Sequence, residues 1–329
     1  MSARKPAPLG GVPMRFAAIW IAFAVLILLC AVVVPNSLLP STFLAIVPLA
    51  AFLAIAATGE ALVLMSRGID LSVPAIITLS STLILGVSGG RDADLLPAVA
   101  VALLCALGIG VLNGVLVAVL QLNALIVTLA IGAITGGVTL WYRESLPAEA
   151  RVPPGMAAWG DSRLLGLNAS VWVAAALVAV LSVGLSKAVI GRRFVAVGAN
   201  PRAAWIAGVN VAAYQIAAFA VAALLYGIAG ILLSAFIRNP TLRVGEPYLL
   251  APIAAAVLGG TAISGGIGNM VAVGGAALFL TQLGQTEKML GLSTAFQFVI
   301  YGAAIALGMA LADSRLSRTR LWRGRRQPG

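Results

Sequence analysis

Long runs of apolar residues, separated by short polar segments, dominate the chain. A helix that crosses the hydrocarbon core of a bilayer needs about 20 mostly apolar residues. The uncharged stretch 247–286 is too long for one crossing, so we divide it at the glycine-rich residues 259–268. The other candidate spans are 16–34, 43–65, 73–89, 95–120, 124–142, 169–186, 212–236 and 294–312. The pattern predicts an all-α, polytopic helical membrane protein with about ten transmembrane helices over residues 16–312.

The composition supports the same fold class. Only 9% of the residues are charged, 61% are apolar and the mean hydropathy is +1.07, whereas a soluble domain carries about 25% charge. The chain has no histidine, which removes imidazole bases and histidine metal ligands. Cys30 and Cys105 both lie inside apolar runs, where they act as small hydrophobic side chains. We therefore expect no metal site and no redox chemistry in this chain.

The basic residues predict the orientation, because Lys and Arg accumulate in cytoplasmic loops. With ten spans and both termini inside, fourteen of the 21 basic residues fall on the cytoplasmic side and seven outside. Residues 1–15 then form a cytoplasmic N-terminal tail and residues 313–329 a basic cytoplasmic C-terminal tail. The tail charges are typical of a topology and anionic-lipid signal, so we expect no nucleic-acid partner.

Three ionisable residues, Glu60, Arg67 and Asp70, lie close together at predicted membrane depth, around the sequence GIDLSVP at 68–74. Intramembrane charges are costly, which makes these residues functional candidates. Glu60 and Arg67 are about two helical turns apart, which predicts that they share one helix face. Asp70 and Ser72 have two interpretations: either can cap the next helix, and either can line a substrate route.

The second candidate segment is residues 187–211, which we call the connector. It contains a short helix with complete start and stop signals: Asn200 as N-cap, Pro201 at the first position and Gly208 at the end. This helix presents Trp205 and Ile206 beside several arginines. Docking of a cytosolic protein and binding to lipid headgroups both fit this pattern.

Motifs in a characteristic order carry a family resemblance from about residue 40 to 312. The most specific is GIDLSV at 68–73, which LVLM precedes at 62–65. The others are NG at 113–114, IVTL at 126–129, GANPRAAWIAGVNV at 198–211 and APIAAAVLGGTAISGGIGN at 251–269. In these motifs the chain resembles the permease subunits of ribose-type ABC sugar importers, a family that includes ribose, xylose and autoinducer-2 permeases.

The resemblance implies a permease domain over residues 16–312 in the bacterial cytoplasmic (inner) membrane, carrying a sugar or sugar-like solute. Its implied partners are cytosolic ATP-binding subunits, a periplasmic or extracellular sugar-binding protein and a second permease subunit, like or related. The connector matches the ATPase-coupling loop of the family, with Gly198, Asn200, Arg202, Ala203, Ala204 and Gly208 as the implied coupling residues. In the matching motifs, Asp70, Ser72, Asn113 and Thr128 are the candidates for a pathway or gating role. Glu60 and Arg67 stand where the family usually has small or apolar residues, and they are candidates for the same role as intramembrane charges.

No GxxxxGK[ST] phosphate-binding loop occurs in the sequence. We therefore expect no cofactor in this chain, with ATP and magnesium bound to the partner ATPase, and no enzymatic activity of its own. Two rival interpretations use Glu60 and Asp70, either as the titrating pair of an ion-coupled secondary transporter or as the acid and base of a membrane enzyme. The sequence leaves open which sugar is carried and whether the permease dimer is homomeric.

Overall fold

The computed structural model describes residues 14–293 and 295–306. Residues 1–13 of the predicted N-terminal tail and the whole predicted tail 313–329 lie outside the described residues. The longer helices are α1 (Met14–Val33), α2 (Pro40–Met65), α3 (Val73–Ser88), α4 (Leu95–Ala118), α5 (Ala124–Glu144), α7 (Ala169–Lys187), α10 (Val211–Ile237) and α12 (Met270–Met289). The shorter helices are α6 (Pro154–Asp161), α8 (Val189–Ala199), α9 (Pro201–Ile206), α11 (Ala251–Leu258) and α13 (Ala295–Ala306). Strands β1 (Arg163–Leu164) and β2 (Leu167–Asn168) pair antiparallel.

Within the described residues, six helices are long and apolar enough to cross a membrane: α1, α2, α4, α5, α7 and α10. This confirms a helical, multi-pass membrane protein. Helices α3 and α13 are apolar but shorter, and the last two turns of α12 carry glutamines, a glutamate and a lysine. The total of ten spans stays a prediction.

Helices α2 and α10 form the centre of the molecule. Most of each helix is enclosed by protein, whereas α1, α4, α5 and α7 turn most of their surface outward, where lipid would cover exposed leucines, valines and isoleucines. Close packing of α2 on α10 depends on Gly59, because a Cβ there would lie 2.8 Å from the Tyr226 ring and 3.1 Å from the Ala222 carbonyl oxygen. Small residues commonly allow this kind of approach between membrane helices.

A break separates α2 from α3. Helix α2 ends at Met65, and Arg67 adopts a positive φ of 70°, which is uncommon for a residue with a side chain. The prediction that Glu60 and Arg67 share one helix face was therefore wrong, because the helix ends before Arg67. Ser72 occupies the N-cap position of α3 but its side chain makes no capping hydrogen bond, so the capping interpretation also fails for Ser72.

A second break follows α11. This helix has eight residues and is about 12 Å long, too short to cross the membrane alone. The chain then turns through the predicted glycine-rich region, where Gly260, Gly265 and Gly266 have positive φ angles. The Gly266 N–H donates to the Met65 carbonyl oxygen over 2.9 Å, so the second break packs against the end of α2.

The connector contains two helices, α8 and α9, of which the sequence pattern predicted only the second. Helix α9 begins after Asn200, whose side chain accepts the Ala203 N–H, and Gly208 follows it with a φ of 79°. The predicted start and stop are thus confirmed. At the end of the bundle opposite the connector, α6 and the β1–β2 hairpin lie in the segment between α5 and α7.

Candidate functional site

Two buried carboxyl groups meet where the α2–α3 break folds back along α2. The Asp70 N–H donates to Glu60 Oε1 over 3.3 Å, and the Tyr226 hydroxyl of α10 donates to Glu60 Oε2 over 3.0 Å. None of these three residues has exposed surface. Buried polar groups of this kind are costly unless they are hydrogen-bonded, so the three residues fix the break against both central helices.

Ser72 extends this cluster to α4. Its N–H and its hydroxyl both donate to Asp70 Oδ1, over 2.8 and 2.5 Å, and its hydroxyl oxygen accepts from Asn113 Nδ2 over 3.0 Å. Asp70 Oδ2 and Asn113 Oδ1 are buried without a hydrogen-bond partner in the described part of the chain. The turn at 70–72 is therefore held by side chains, while two acceptors of the cluster stay unused.

Thr128 ties the same break to α5. Its hydroxyl oxygen accepts the Leu71 N–H over 2.9 Å, and the hydroxyl lies 2.8 Å from the Ala124 carbonyl oxygen. Thr128 has no exposed surface. The break between α2 and α3 is thereby linked to α2, α4, α5 and α10.

Five of the six predicted pathway residues are thus brought together: Glu60, Asp70, Ser72, Asn113 and Thr128. With Tyr226 they form what we call the buried cluster, which is enclosed by protein on all sides. Sequence reasoning missed Tyr226 because a single tyrosine in an apolar run is normally a packing residue. The available signal was that Tyr226 carries the only polar side-chain group within residues 216–233 of this helix.

Arg67 lies outside the buried cluster. Its Nε donates to the Gly198 carbonyl oxygen and its Nη2 to the Ala199 carbonyl oxygen, each over 2.7 Å. These carbonyls belong to the last turn of α8, directly before α9. No ion pair joins Arg67 to Asp70 in the described part of the chain. Arg67 instead connects the break to the connector.

The outer surface of the connector is apolar at its tip and basic around it. Trp205 and Ile206 of α9 are 70% and 73% exposed. Arg192, Arg193 and Arg202 of the connector are also exposed, and the connector contains no acidic residue. Such a surface suits either a protein partner or lipid headgroups by its chemistry alone.

The predicted coupling residues divide between this surface and its support. Arg202, Ala203 and Gly208 are exposed, as is Asn200. Ala204 is buried, so it supports α9 from inside and does not belong to the exposed face. Gly198 is buried too, and a Cβ there would lie 2.0 Å from the Met65 carbonyl oxygen. Only glycine allows the connector to reach α2 at this point.

A cavity of about 290 Å³ lies beside the buried cluster, between the start of α3 and the middle of α5. We call it the α3–α5 cavity. Its walls include Pro74 and Thr78 of α3, Thr139 of α5, and Glu246 from the segment that follows α10. Glu246 pairs with Arg243 over 2.7 Å, and this hydrogen bond raises the pKa of the Arg243 guanidinium. The cavity thus joins hydroxyl and carboxylate groups to an apolar wall.

The described residues contain no group of three or more His, Cys, Asp or Glu residues placed to hold a metal ion. Cys30 and Cys105 are both free thiols. The arrangement offers a buried, hydrogen-bonded break between two helices, an exposed connector and an open cavity. Nothing in this set forms a nucleophile with its base, so the geometry fits movement of a solute better than a reaction.

Comparison with known proteins gives consistent results. A model of the family described as branched-chain amino acid transport system, permease component, matches residues 42–312. The ribose import permease protein RbsC of Escherichia coli K12 is 32% identical over 298 residues, covering 90% of this chain and 92% of the relative. The RbsC protein of Bacillus subtilis 168 is also 32% identical, covering 87% and 89%.

A relative named for a different solute is also similar. The autoinducer 2 import system permease protein LsrC of Escherichia coli K12 strain DH10B is 34% identical over 275 residues, covering 81% of this chain and 77% of LsrC. Among solved structures, none matches the chain significantly.

Proposed function

The chain belongs to the permease-component family whose model matches residues 42–312, and we propose that it is the membrane subunit of an ABC importer for a sugar or sugar-like solute. The relatives described above are import permeases for ribose and autoinducer 2. None of them supports an ion-coupled secondary transporter or a membrane enzyme. Related permeases carry several different solutes, so we propose a sugar or sugar-like solute and no single sugar.

The observation that carries this function is the Arg67 link between the connector and the α2–α3 break. A permease driven by ATP hydrolysis on a partner must pass movement from a docking surface to the membrane route. Here α9 begins at Pro201, two residues after the second of the α8 carbonyls that Arg67 binds. Arg67 in turn stands three residues before Asp70 in the buried cluster. The path from partner to membrane is short and continuous.

We propose that cytosolic ATP-binding subunits dock on the exposed face of α9, with ATP and magnesium bound to those subunits. Exposed Trp205 and Ile206 form the apolar centre of the contact, and Arg202 contributes to its rim. Large aromatic residues within a polar surround are typical of strong protein contacts. Ala204 and Gly198 act beneath this face, where they hold α9 against the bundle.

The buried cluster then acts as the hinge of the route. Glu60, Asp70, Ser72, Asn113, Thr128 and Tyr226 set the position of the break, and the solute passes through the adjoining α3–α5 cavity. Hydroxyl and carboxylate groups along the cavity wall suit a polyhydroxylated solute, which both donates and accepts hydrogen bonds. Gly136 lines this cavity, and a Cβ there would meet open space. A second permease subunit, like or related, closes that open side in our proposal.

The proposed setting is the bacterial cytoplasmic membrane, with ten spans, both termini and the connector in the cytoplasm, and the opposite end facing a solute-binding protein. Cysteines introduced at Ala157 and Ala203 test this orientation, in a background in which Cys105 is replaced by alanine. An impermeant thiol reagent should label position 157 in intact cells and position 203 only after permeabilisation. Ser317 in the predicted C-terminal tail, which lies outside the described residues, should behave like position 203. Labelling of all three from outside would contradict the orientation.

The function itself is tested in proteoliposomes that contain the permease with the ATP-binding and solute-binding proteins encoded beside it. We expect uptake of radiolabelled sugar that requires ATP and the binding protein, and no uptake driven by a proton or sodium gradient alone. A Walker-lysine variant of the ATPase is the matched control. Uptake from an ion gradient without ATP would replace this function with secondary transport.

A further inference from the structure

A second cavity, of about 260 Å³, opens in the half of the bundle opposite the connector. Helices α2, α10 and α12 form its inner walls, and α13 together with the segment between α10 and α11 forms the rest. We call it the α12–α13 cavity. It lies within one chain and involves none of the residues of the buried cluster.

Its lining has two kinds of surface. The floor is apolar and includes Leu49 and Leu53 of α2, Leu233 of α10 and Leu280 of α12. Six polar side chains complete it: Tyr248, Thr281, Gln285, Lys288, Gln297 and Tyr301. Sites for small molecules are typically apolar cavities with a few convergent polar groups, and helical bundles are common places for them.

Most of these polar groups are free to bind. Two of the six are engaged: the Thr281 hydroxyl donates to the Ala277 carbonyl oxygen over 2.8 Å, and Gln297 Nε2 donates to the Gly284 carbonyl oxygen over 3.3 Å. The Gln285 amide, the Lys288 ammonium and the hydroxyls of Tyr248 and Tyr301 form no hydrogen bond or ion pair with another residue in the described part of the chain. Neutral donors and acceptors and one cationic donor therefore line the same space as two aromatic rings.

One short segment separates this cavity from the proposed route. Leu242 and Glu246 line the α3–α5 cavity, whereas Val244, Pro247 and Tyr248 line the α12–α13 cavity. Adjacent residues of a single connection thus face two cavities. A ligand in the α12–α13 cavity would touch the other side of the wall that borders the route.

We propose that the α12–α13 cavity binds a small polyhydroxylated solute of the monosaccharide class, at the end of the permease that receives it. A monosaccharide has apolar C–H faces for the leucine floor and tyrosine rings, and hydroxyls for amides, phenols and the ammonium. A lipid chain would use the floor but leave the free polar groups without partners. This inference rests on the proposed function for the direction of transport, but binding to the cavity can be tested without it.

The direct test is protection of a cysteine from a reagent. Thr281→Cys in the Cys105→Ala background places a thiol in the cavity of the purified full-length permease in nanodiscs. We expect a small cationic thiosulfonate to label it, and D-ribose or D-galactose to slow labelling at least threefold. Asn239→Cys, exposed at the same end but outside the cavity, is the matched control and should show no protection. Glycine betaine at equal osmolality should protect neither cysteine.

Labelling of position 281 without protection by any monosaccharide would overturn the proposal. Failure of the aqueous reagent to reach position 281, with normal labelling at 239, would show a lipid-filled cavity and would overturn it as well.

A transport measurement in the assembled system separates this inference from the proposed function. Gln285→Leu removes one free amide from the cavity, and we expect the KM for uptake to rise about 3- to 10-fold, equivalent to about 0.6–1.4 kcal/mol, with kcat maintained. Gln282→Leu is the same substitution on the α1 side of α12 and should leave the KM unchanged. An unaltered KM in Gln285→Leu, with sugar uptake by the wild type, would refute solute binding to the cavity and leave the importer function intact. Absence of uptake by the wild type would refute the proposed function. Cysteine protection would still test whether the cavity binds a monosaccharide.

Discussion

The Arg67 guanidinium donates from Nε to the carbonyl oxygen of Gly198 over 2.7 Å, which joins the end of a transmembrane helix to the last turn of α8. The two residues are 131 positions apart in sequence. Gly198 accommodates this contact because it has no side chain, and Arg67 reaches it because its positive φ turns the chain away from α2. The contact connects the proposed docking surface to the segment that enters the buried cluster.

Replacing Arg67 with methionine should uncouple ATP hydrolysis from transport. Methionine keeps much of the side-chain volume but donates no hydrogen bond, and each bond from a charged donor contributes about 1.5–3 kcal/mol. We expect the ATPase to co-purify normally and to hydrolyse ATP, while the number of sugars carried per ATP falls about tenfold, equivalent to about 1.4 kcal/mol of lost coupling. Proteoliposome uptake and phosphate release, measured on the same sample, check this.

Arg192→Met is the control for that measurement. Arg192 donates to the Lys187 carbonyl oxygen within the connector and does not contact the break. A similar loss of coupling in Arg192→Met would assign the effect to the charge of the connector rather than to the Arg67 link.

Trp205 and Ala204 are neighbours in α9 with opposite environments, and they should respond differently to substitution. Trp205→Ala removes an exposed aromatic from the proposed docking face, so we expect ATPase binding to weaken by about 2 kcal/mol or more with an unchanged melting temperature. Ala204→Glu places a carboxylate in a buried position and should lower the melting temperature of the permease. Affinity of detergent-solubilised subunits and thermal unfolding separate the two effects. Full ATPase affinity in Trp205→Ala would remove α9 as the docking element.

Much of this arrangement was accessible from the sequence, since it follows from local signals. Apolar runs predicted the long helices, and Asn200, Pro201 and Gly208 predicted the start and end of α9. The glycine-rich residues 259–268 correctly marked a break. Each of these features depends on the preferences of a few adjacent residues.

The features that could not be predicted are set by contacts between distant segments. Arg67 lies two residues past the end of α2. Nothing in the neighbouring sequence shows that its side chain binds the carbonyls of Gly198 and Ala199. The pairing of Tyr226 with Glu60 depends likewise on how α10 packs on α2, which Gly59 decides. The extent of α11 was also hidden, because hydropathy reports apolar residues and not the length of an unbroken helix.

Substitutions of Asp70 distinguish a role of its charge in transport from a role of its hydrogen bonds. Asn at this position retains an oxygen for the Ser72 N–H and hydroxyl. Since no ion pair holds the Asp70 charge in the described part of the chain, we expect Asp70→Asn to maintain uptake. Asp70→Ala leaves Ser72 without its acceptor and should reduce both uptake and thermal stability. Poor transport by a stable Asp70→Asn protein would instead show that the carboxylate itself takes part in gating.

The Tyr226 hydroxyl and the Glu60 carboxyl should stabilise the fold jointly, so that their contributions to the free energy of unfolding are not additive. Tyr226→Phe removes the hydroxyl and leaves Glu60 Oε2 buried without its donor, which should cost about 1–3 kcal/mol of stability. Glu60→Met removes the acceptor of both the Tyr226 hydroxyl and the Asp70 N–H and should destabilise by a similar amount. Because both members are fully buried, the double variant leaves fewer unpaired groups than the two single changes imply. We therefore expect its loss of stability to be smaller than the sum, with a coupling energy of about 0.5–3 kcal/mol. Chemical denaturation of the four proteins in matched micelles measures this energy. Strictly additive losses would show that the hydroxyl and the carboxyl do not act together. This result would contradict the proposal that the Tyr226–Glu60 hydrogen bond holds the buried cluster against α10.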